Sequence, residues 1–385
     1  MAVGMNLPTE ETSPLSLINA YHLNTPGTLN RITLWNRQYP VHPMATRMQL
    51  LQANLQVREG HYAEALDIYQ KVNVETVPAN ERADAQLHEA IAYIKMGDLA
   101  RAKNLLASIE YTDEHEMDVQ YYSGYVRYAE GNYAEALPFL QVAENCDGYR
   151  DQASVYIADC MLQTGRPQDA LARIRRGPIA TDLAADACRV EGEALHDMGD
   201  YNSAITALEK YTSMAASPNR TALYKLGNSY FQAKAYGKAA DAFSRSAGTA
   251  QDELAQNAWL HAGIGYVNMG SKQQARMAFQ QASQMSFDPK VQEEALYNYA
   301  LTLHDGATMG FGESVNVFEQ FLNQFPQSRY KDSVSQHLTE VYFTTKNYPA
   351  ALASINKIQK PNSEILAAKQ KVLYNLAFRD LSQNK

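Results

Sequence analysis

Long apolar runs are missing: nothing in the 385 residues approaches the ~18 consecutive apolar residues that a bilayer-spanning helix requires. Cysteine is scarce. Cys146, Cys160 and Cys188 cannot all pair and no CxxC occurs, so neither a disulfide framework nor a zinc site is indicated. An excess of basic charge is missing as well. The 34 Lys and Arg stand against 42 Asp and Glu, giving a net charge of −8, and the basic residues do not cluster. A chain that repels phosphate is a poor nucleic-acid binder, and no nucleic-acid partner is expected. Neither a nucleophile-elbow, a metalloprotease, a P-loop nor a dinucleotide motif occurs. What remains, 45% hydrophobic and 20% charged residues, excludes wholesale disorder. Against 11 Phe and 2 Trp, the 25 tyrosines are conspicuous.

Glycines fall on a beat. Gly60, Gly97, Gly131, Gly165 and Gly199 are spaced 37, 34, 34 and 34 residues apart, and Lys234 and Gly270 continue at 35 and 36. Each is followed by a similar phrase, as in "GHYAEAL", "GNYAEAL" and "GDYNSAI". Self-similarity at this period signals a stacked array. About 14 residues of helical pattern precede each beat and another 10 to 13 follow, so the unit is helix, tight turn, helix.

Two columns of small residues run through the array. The first helix carries Ala53, Ala90, Gly124, Ala158, Gly192, Gly227, Gly263 and Ala300; the second carries Ala65, Ala102, Ala136, Ala170, Ala204, Ala239 and Ala275. They allow close helix approach, while large residues such as Tyr69, Tyr93, Tyr230, Phe243 and Phe279 fill the space beside the crossing. One helix pair cannot bury its apolar face alone, and stacking does it.

This pattern resembles the tetratricopeptide repeat, most closely at Leu223, Leu226-Gly227, Tyr230, Ala239 and Phe243, and at Trp259, Ala262-Gly263, Tyr266, Ala275 and Phe279. The resemblance implies an all-α, right-handed superhelical solenoid. Residues 1–45 read as an N-terminal helical capping segment, residues 46–363 as nine repeats, and residues 364–385 as the first helix of a truncated tenth. The eighth repeat departs, "HDGATMGFGESV" inserting about two residues into its turn. The phrase that follows, "FEQFLNQFPQSRYKDSV", resembles repeats of periplasmic lipoproteins that assist outer-membrane protein assembly. The whole chain is similar to long exported repeat proteins of the Bacteroidota. That resemblance implies the periplasm or cell envelope, with the cytoplasm as the alternative.

At the ends, no signal peptide is read, and the chain stops where the tenth repeat's second helix is due. A longer native protein with further repeats is therefore expected. Ala368, Val372, Leu376 and Ala377 are expected to be partly uncovered there.

Candidate chemistry is thin. Glu193-x-x-His196 is a single pair where di-iron carboxylate bundles use two. Asp113-Glu114-His115-Glu116 reads as a helix-start acidic cluster. His337-x-x-Glu340 has no partner motif, and the cysteines read as buried, unreactive thiols. Neither catalysis, a metal nor a cofactor is expected.

Binding is better supported. The resemblance places first helices on a concave wall, with Tyr121, Tyr125 and Tyr128 from the third repeat and Asp159 from the fourth. The fifth contributes Arg189, Glu193 and His196, the sixth Tyr224, Asn228 and Phe231, and the seventh Asn257, Leu260 and Ile264. Tyr121, Tyr125 and Tyr128 lie at i, i+4 and i+7, one stripe on one helix. Tyrosine suits peptide capture, being a large ring with a polar tip and little entropy to lose. The carboxylate clamp of some tetratricopeptide domains is disfavoured. Leu50, Leu87 and Tyr121 stand where its leading Lys would be, and only Asn54 matches. The expected function is a non-catalytic scaffold binding an extended peptide or partner helix. The alternatives are a structural spacer with an idle groove and a glycan-handling or enzymatic repeat protein using Glu193 and His196.

Overall fold

The computed structural model describes residues 13–110, 115–177, 179–304 and 311–382, and among them the regular elements are helical. Two helices lead in, α1 (Pro14–His22) and α2 (Thr28–Gln38). Four helix pairs follow: α3 (Ala45–Arg58) with α4 (Tyr62–Lys71), α5 (Ala79–Lys95) with α6 (Leu99–Ser108), α7 (Glu116–Ala129) with α8 (Tyr133–Ala143), and α9 (Arg150–Gln163) with α10 (Pro167–Ile174). Three more are α11 (Ala184–Asp197) with α12 (Tyr201–Met214), α13 (Arg220–Gln232) with α14 (Tyr236–Ala247), and α15 (Glu253–Asn268) with α16 (Lys272–Gln284). The series ends with α17 (Pro289–His304) and α18 (Phe311–Gln324), α19 (Lys331–Thr345) and α20 (Tyr348–Lys357), and a lone α21 (Ser363–Ser382). The chain is an all-α solenoid of helix–turn–helix repeats.

The beat residue closes each first helix with a fixed hydrogen-bond pattern. The Gly60 N–H donates to the Val57 carbonyl at 3.1 Å and the His61 N–H to the Gln56 carbonyl at 2.7 Å. This pair of bonds defines a Schellman cap, which needs a left-handed residue at the turn. The next residue often starts the second helix: Asp98 and Asp200 accept the N–H groups of Arg101 and Ser203 at 3.0 and 3.2 Å. Lys234 keeps the same bonds without being glycine, at φ +60°, and Lys346 sits at φ +52° in the ninth repeat's turn. A side chain in this region costs ~1–2 kcal/mol, part of which glycine's greater unfolded-state freedom offsets. Lys234→Gly is accordingly expected to stabilise the protein by ~0.5–1 kcal/mol, read as a higher denaturation midpoint.

The small-residue columns are the helix crossings. A Cβ placed on Gly192 would lie 2.5 Å from Leu208 Cγ, and one on Gly263 2.5 Å from Phe279 Cε1. Both partners are buried. The tyrosines at repeat-packing positions divide: Tyr69, Tyr93, Tyr230 and Tyr342 are buried, whereas Tyr62, Tyr133, Tyr201, Tyr236, Tyr266 and Tyr348 are half-buried at helix ends and edges.

The chain divides into two compact units, residues 1–190 and 191–385. In the first, α1 and α2 join α3 through a core of Leu17, Ile18, Tyr21, Ile32, Trp35, Met48, Leu51 and Leu55. In the second, a continuous core runs from Leu260 through Phe279, Phe318, Phe321 and Tyr342 to Val372. Here two expectations need correction. Ala368 and Val372 are buried, because α21 packs along α19 and α20 and lays that face on their core. Leu376 is half-buried and Ala377 exposed, as expected, and the large apolar residues that α21 exposes are Leu366, Leu373, Tyr374, Phe378 and Leu381. The second concerns cysteine: Cys160 and Cys188 are buried, with burial pushing the Cys160 thiol up to about 12, but Cys146 is only half-buried. Residues 305–310 of the inserted turn, and Asp113 and Glu114 of the acidic cluster, lie outside the described residues. No helix among the described residues is long and apolar enough to cross a membrane.

Candidate functional site

In the first unit the tyrosine stripe of α7 meets tyrosines from the next repeat. Tyr121 stacks on Tyr149 with ring centroids 4.2 Å apart and planes within 13°. Tyr125 lies 5.6 Å and Tyr128 4.7 Å from Tyr156 on α9. Tyr122 sits edge-on to Tyr121 at 5.1 Å. All six rings are half-buried. Beneath them Tyr121, Tyr128 and Tyr156 rest on Ala136, Leu140, Ile157 and Cys160. Part of each ring therefore packs and part faces outward, in a strip assembled from two successive first helices.

The hydroxyls at the strip's ends are anchored by carboxylates. Tyr149 donates to Asp118, and Tyr128 donates to Asp159 Oδ2 at 2.6 Å. Arg189 Nη2 donates to the same oxygen at 2.5 Å, while Gln163 Nε2 donates to Asp159 Oδ1 at 3.1 Å. Asp159 is 3% and Arg189 9% exposed, so this is a buried ion pair and not a polar wall open to a ligand. Burial alone would raise the Asp159 carboxyl. The Arg189 charge and the three hydrogen bonds outweigh it and hold the group below its ordinary value. Burial, with the neighbouring tyrosines, holds the Tyr121 hydroxyl far above its ordinary value; burial, with Asp159, does the same for Tyr128. Tyr156 is pushed up to about 12 by burial. Burial thus keeps the Tyr121, Tyr128 and Tyr156 hydroxyls protonated, and the bonds to Asp118 and Asp159 orient the Tyr149 and Tyr128 rings.

The other predicted contacts, from Glu193 onward, belong to the second unit. Glu193 is buried, with the Lys225 ammonium 3.6 Å away, and Lys225 also donates to Asp197 at 2.8 Å. His196 pairs through Nδ1 with Asp197 at 2.9 Å and lies edge-on to Tyr201. Tyr224 is half-buried beside His261, its Oη 3.3 Å from Nδ1, and Phe231 packs edge-on against Tyr236. Asn228 and Ile264 are half-buried. Asn257 spends its side-chain N–H on its own helix, donating to the Glu253 carbonyl at 3.0 Å. Leu260 needs correction: it is 3% exposed within the second unit's core, because α15 turns that position inward onto α16 and α17.

Other groupings join residues far apart in the sequence. Tyr149 and Tyr156 complete the strip, and Tyr330 stacks on Tyr297 at 4.2 Å and 11° in the second unit. The registers agree. Tyr121 and Tyr297 each stand three residues before the small column residue, Gly124 and Ala300, so this aromatic stack recurs. A polar network also ties α1, α3, α4 and α5. Asn54 Nδ2 donates to Tyr21 Oη at 3.1 Å and to Asp84 Oδ2 at 2.9 Å, and Tyr69 donates to Asn54 Oδ1 at 2.6 Å. Burial opposes ionisation of Asp84, but His88, Tyr21 and Arg58 overcome it and bring the carboxyl down to about 2. Asn54 is saturated by these three bonds.

Fold and surface together define a class: a helical-repeat scaffold with an aromatic strip on its first helices. Residues 56–121 and residues 189–255 each match a tetratricopeptide repeat family. Repeats of this kind serve in general as protein-interaction scaffolds. No curated protein sequence matches the chain. Among solved structures, it is similar to MamA at 20% identity and TM-score 0.35, covering 42% of this chain and 92% of that one. A human IFIT1 dimer with PPP-AAAA gives 15% identity and TM-score 0.40 over 94% and 90% of the two chains. The Cut9–Hcn1 hetero-tetramer of APC/C gives 14% and 0.33 over 94% and 89%. Likeness at this level sets no function for the chain.

Proposed function

We propose that the chain is a non-catalytic scaffold that captures an extended peptide on the tyrosine strip of α7 and α9. The observation behind this reading is the strip itself: packed, half-buried rings, of which Tyr149 and Tyr128 are oriented by bonds to Asp118 and Asp159. Rigid aromatic surface binds with little ordering penalty, since the rings are fixed before the partner arrives. Asp118 and the half-exposed Asp186 side chain lie near the rings, so a neutral or modestly basic apolar peptide fits best. The resemblance to exported repeat proteins supports a role in assembling cell-envelope complexes.

The test is capture of partners from the native organism by the full chain, repeated with Tyr121→Ala, Tyr125→Ala and Tyr156→Ala combined. Aromatic hot spots are worth ~2 kcal/mol or more, so the affinity for a captured partner should fall at least ~30-fold. Unchanged affinity in a variant that keeps its helical signal would leave the strip as packing and favour the idle spacer.

A further inference from the structure

His337 and Glu340 sit three residues apart on α19, which places both on one helix face. The fold brings a third group to them. His304, the last residue of α17, offers a ring nitrogen, and one ligand atom from each of the three lies within 4.8 Å of the other two. His304 Nε2 is 3.9 Å from Glu340 Oε2, too long for a direct hydrogen bond. The three groups thus lie within reach of a common point.

The two imidazoles are held by an aromatic wall. Their ring centroids are 5.1 Å apart. His337 lies parallel to Phe318, within 11° at 6.0 Å, and His304 stands edge-on to the same ring at 6.0 Å. Phe318 is fully buried, so this wall is fixed. The third group is free to adjust, the Glu340 side chain being 62% exposed while that of His304 is 21% exposed. The arrangement has two preorganised nitrogen donors, one mobile carboxylate and an open route from solvent.

We infer that His304, His337 and Glu340 form a binding site for a divalent transition-metal ion of the zinc class, joining the first helices of the eighth and ninth repeats. The donor set selects the ion. Two imidazoles and one carboxylate suit Zn²⁺ and its neighbours Co²⁺ and Ni²⁺, whereas Mg²⁺ and Ca²⁺ need oxygen donors. Bonds of about 2.0–2.2 Å to a tetrahedral ion put ligand atoms roughly 3.3 Å apart. From 4.8 Å or less, rotation of the exposed glutamate and a small tilt of the rings reach that spacing. Three protein ligands leave a fourth position for water or for a partner's side chain. The site is separate from the tyrosine strip and does not depend on it.

The full chain, stripped with chelator, is titrated with ZnCl₂ by calorimetry and with CoCl₂ by visible absorption. One ion per chain should bind with a micromolar or tighter constant, and Co²⁺ should give the intense d–d bands of a four-coordinate site. His337→Ala and His304→Ala should each weaken binding by about 100-fold or more, since even outer-shell partners account for ~10–100-fold. Glu340→Gln, at an exposed position that leaves folding intact, should weaken it by about tenfold. Zinc should also slow amide exchange in α17 and α19 of the wild type. Absence of heat and of d–d bands would overturn the site and leave the imidazoles as packing against Phe318. Equal binding by wild type and Glu340→Gln, with no slowing in α17 and α19, would assign the metal elsewhere.

Discussion

Arg189→Ala is expected to destabilise the first unit by ~3–5 kcal/mol, because it leaves the Asp159 carboxylate buried without its charge partner. The loss should exceed that of an exposed ion pair such as Lys71–Asp67, worth ~0–1 kcal/mol. Replacing both members by uncharged residues should recover most of it, since the pair's net contribution is far smaller than the penalty of orphaning one charge. The pH dependence follows from the direction of the shift. Asp159 is held below its ordinary value in the folded protein, so its contribution is full above the unfolded carboxylate value. It is lost as pH falls through the folded value. In the variant only the Tyr128 and Gln163 hydrogen bonds still oppose burial, so the carboxyl rises and protonation relieves the penalty. The gap between the two proteins should therefore narrow on acidification below the ordinary Asp range. Amide exchange in α7 and α9 is the suitable readout, because repeat arrays open segment by segment. A loss under 1 kcal/mol, or a gap that widens in acid, would show that the pair is not buried as described.

The second large effect is expected at a helix crossing. Gly263→Val should cost about 3 kcal/mol or more, because its Cβ alone would lie 2.5 to 2.9 Å from three carbons of the Phe279 ring. Phe279 is 1% exposed and enclosed by the second unit's core, so the ring has nowhere to turn. Gly237→Ala is the control. There the nearest atoms to a new Cβ are the flexible end of Met269 at 3.5 and 3.6 Å, and the helix gains ~0.5–1 kcal/mol from the better propensity of alanine. Similar denaturation midpoints for the two variants would mean that α15 and α16 do not approach as closely as described.

Much of the fold was legible because its determinants are local and periodic. The beat at Gly60, Gly97 and Gly131 marks a turn that needs a left-handed backbone, and even Lys234 obeys it. The columns at Gly192 and Gly263 mark crossings sixteen residues before Leu208 and Phe279, within one repeat. Which first-helix residues would be reachable was less legible. Leu260 shares a helix face with the half-buried Asn257 and Ile264, yet the packing of neighbouring helices covers it and not them. Asp159 and Arg189 read as groove polarity, but they bond each other because adjacent first helices bring positions thirty residues apart within 2.5 Å.

By itself, then, the sequence determined the repeat, its turns, its packing columns and the tyrosine stripe of α7. All of these depend on contacts within one helix pair, which a fixed period encodes. Only the tertiary structure decided that Tyr149 and Tyr156 complete the strip, that Asn54 is saturated by Tyr21, Tyr69 and Asp84, and that His304 faces His337 and Glu340. Those contacts join separate helices, many of them in successive repeats. They are set by how one helix lies on the next, a rotation and offset that no spacing along the chain records.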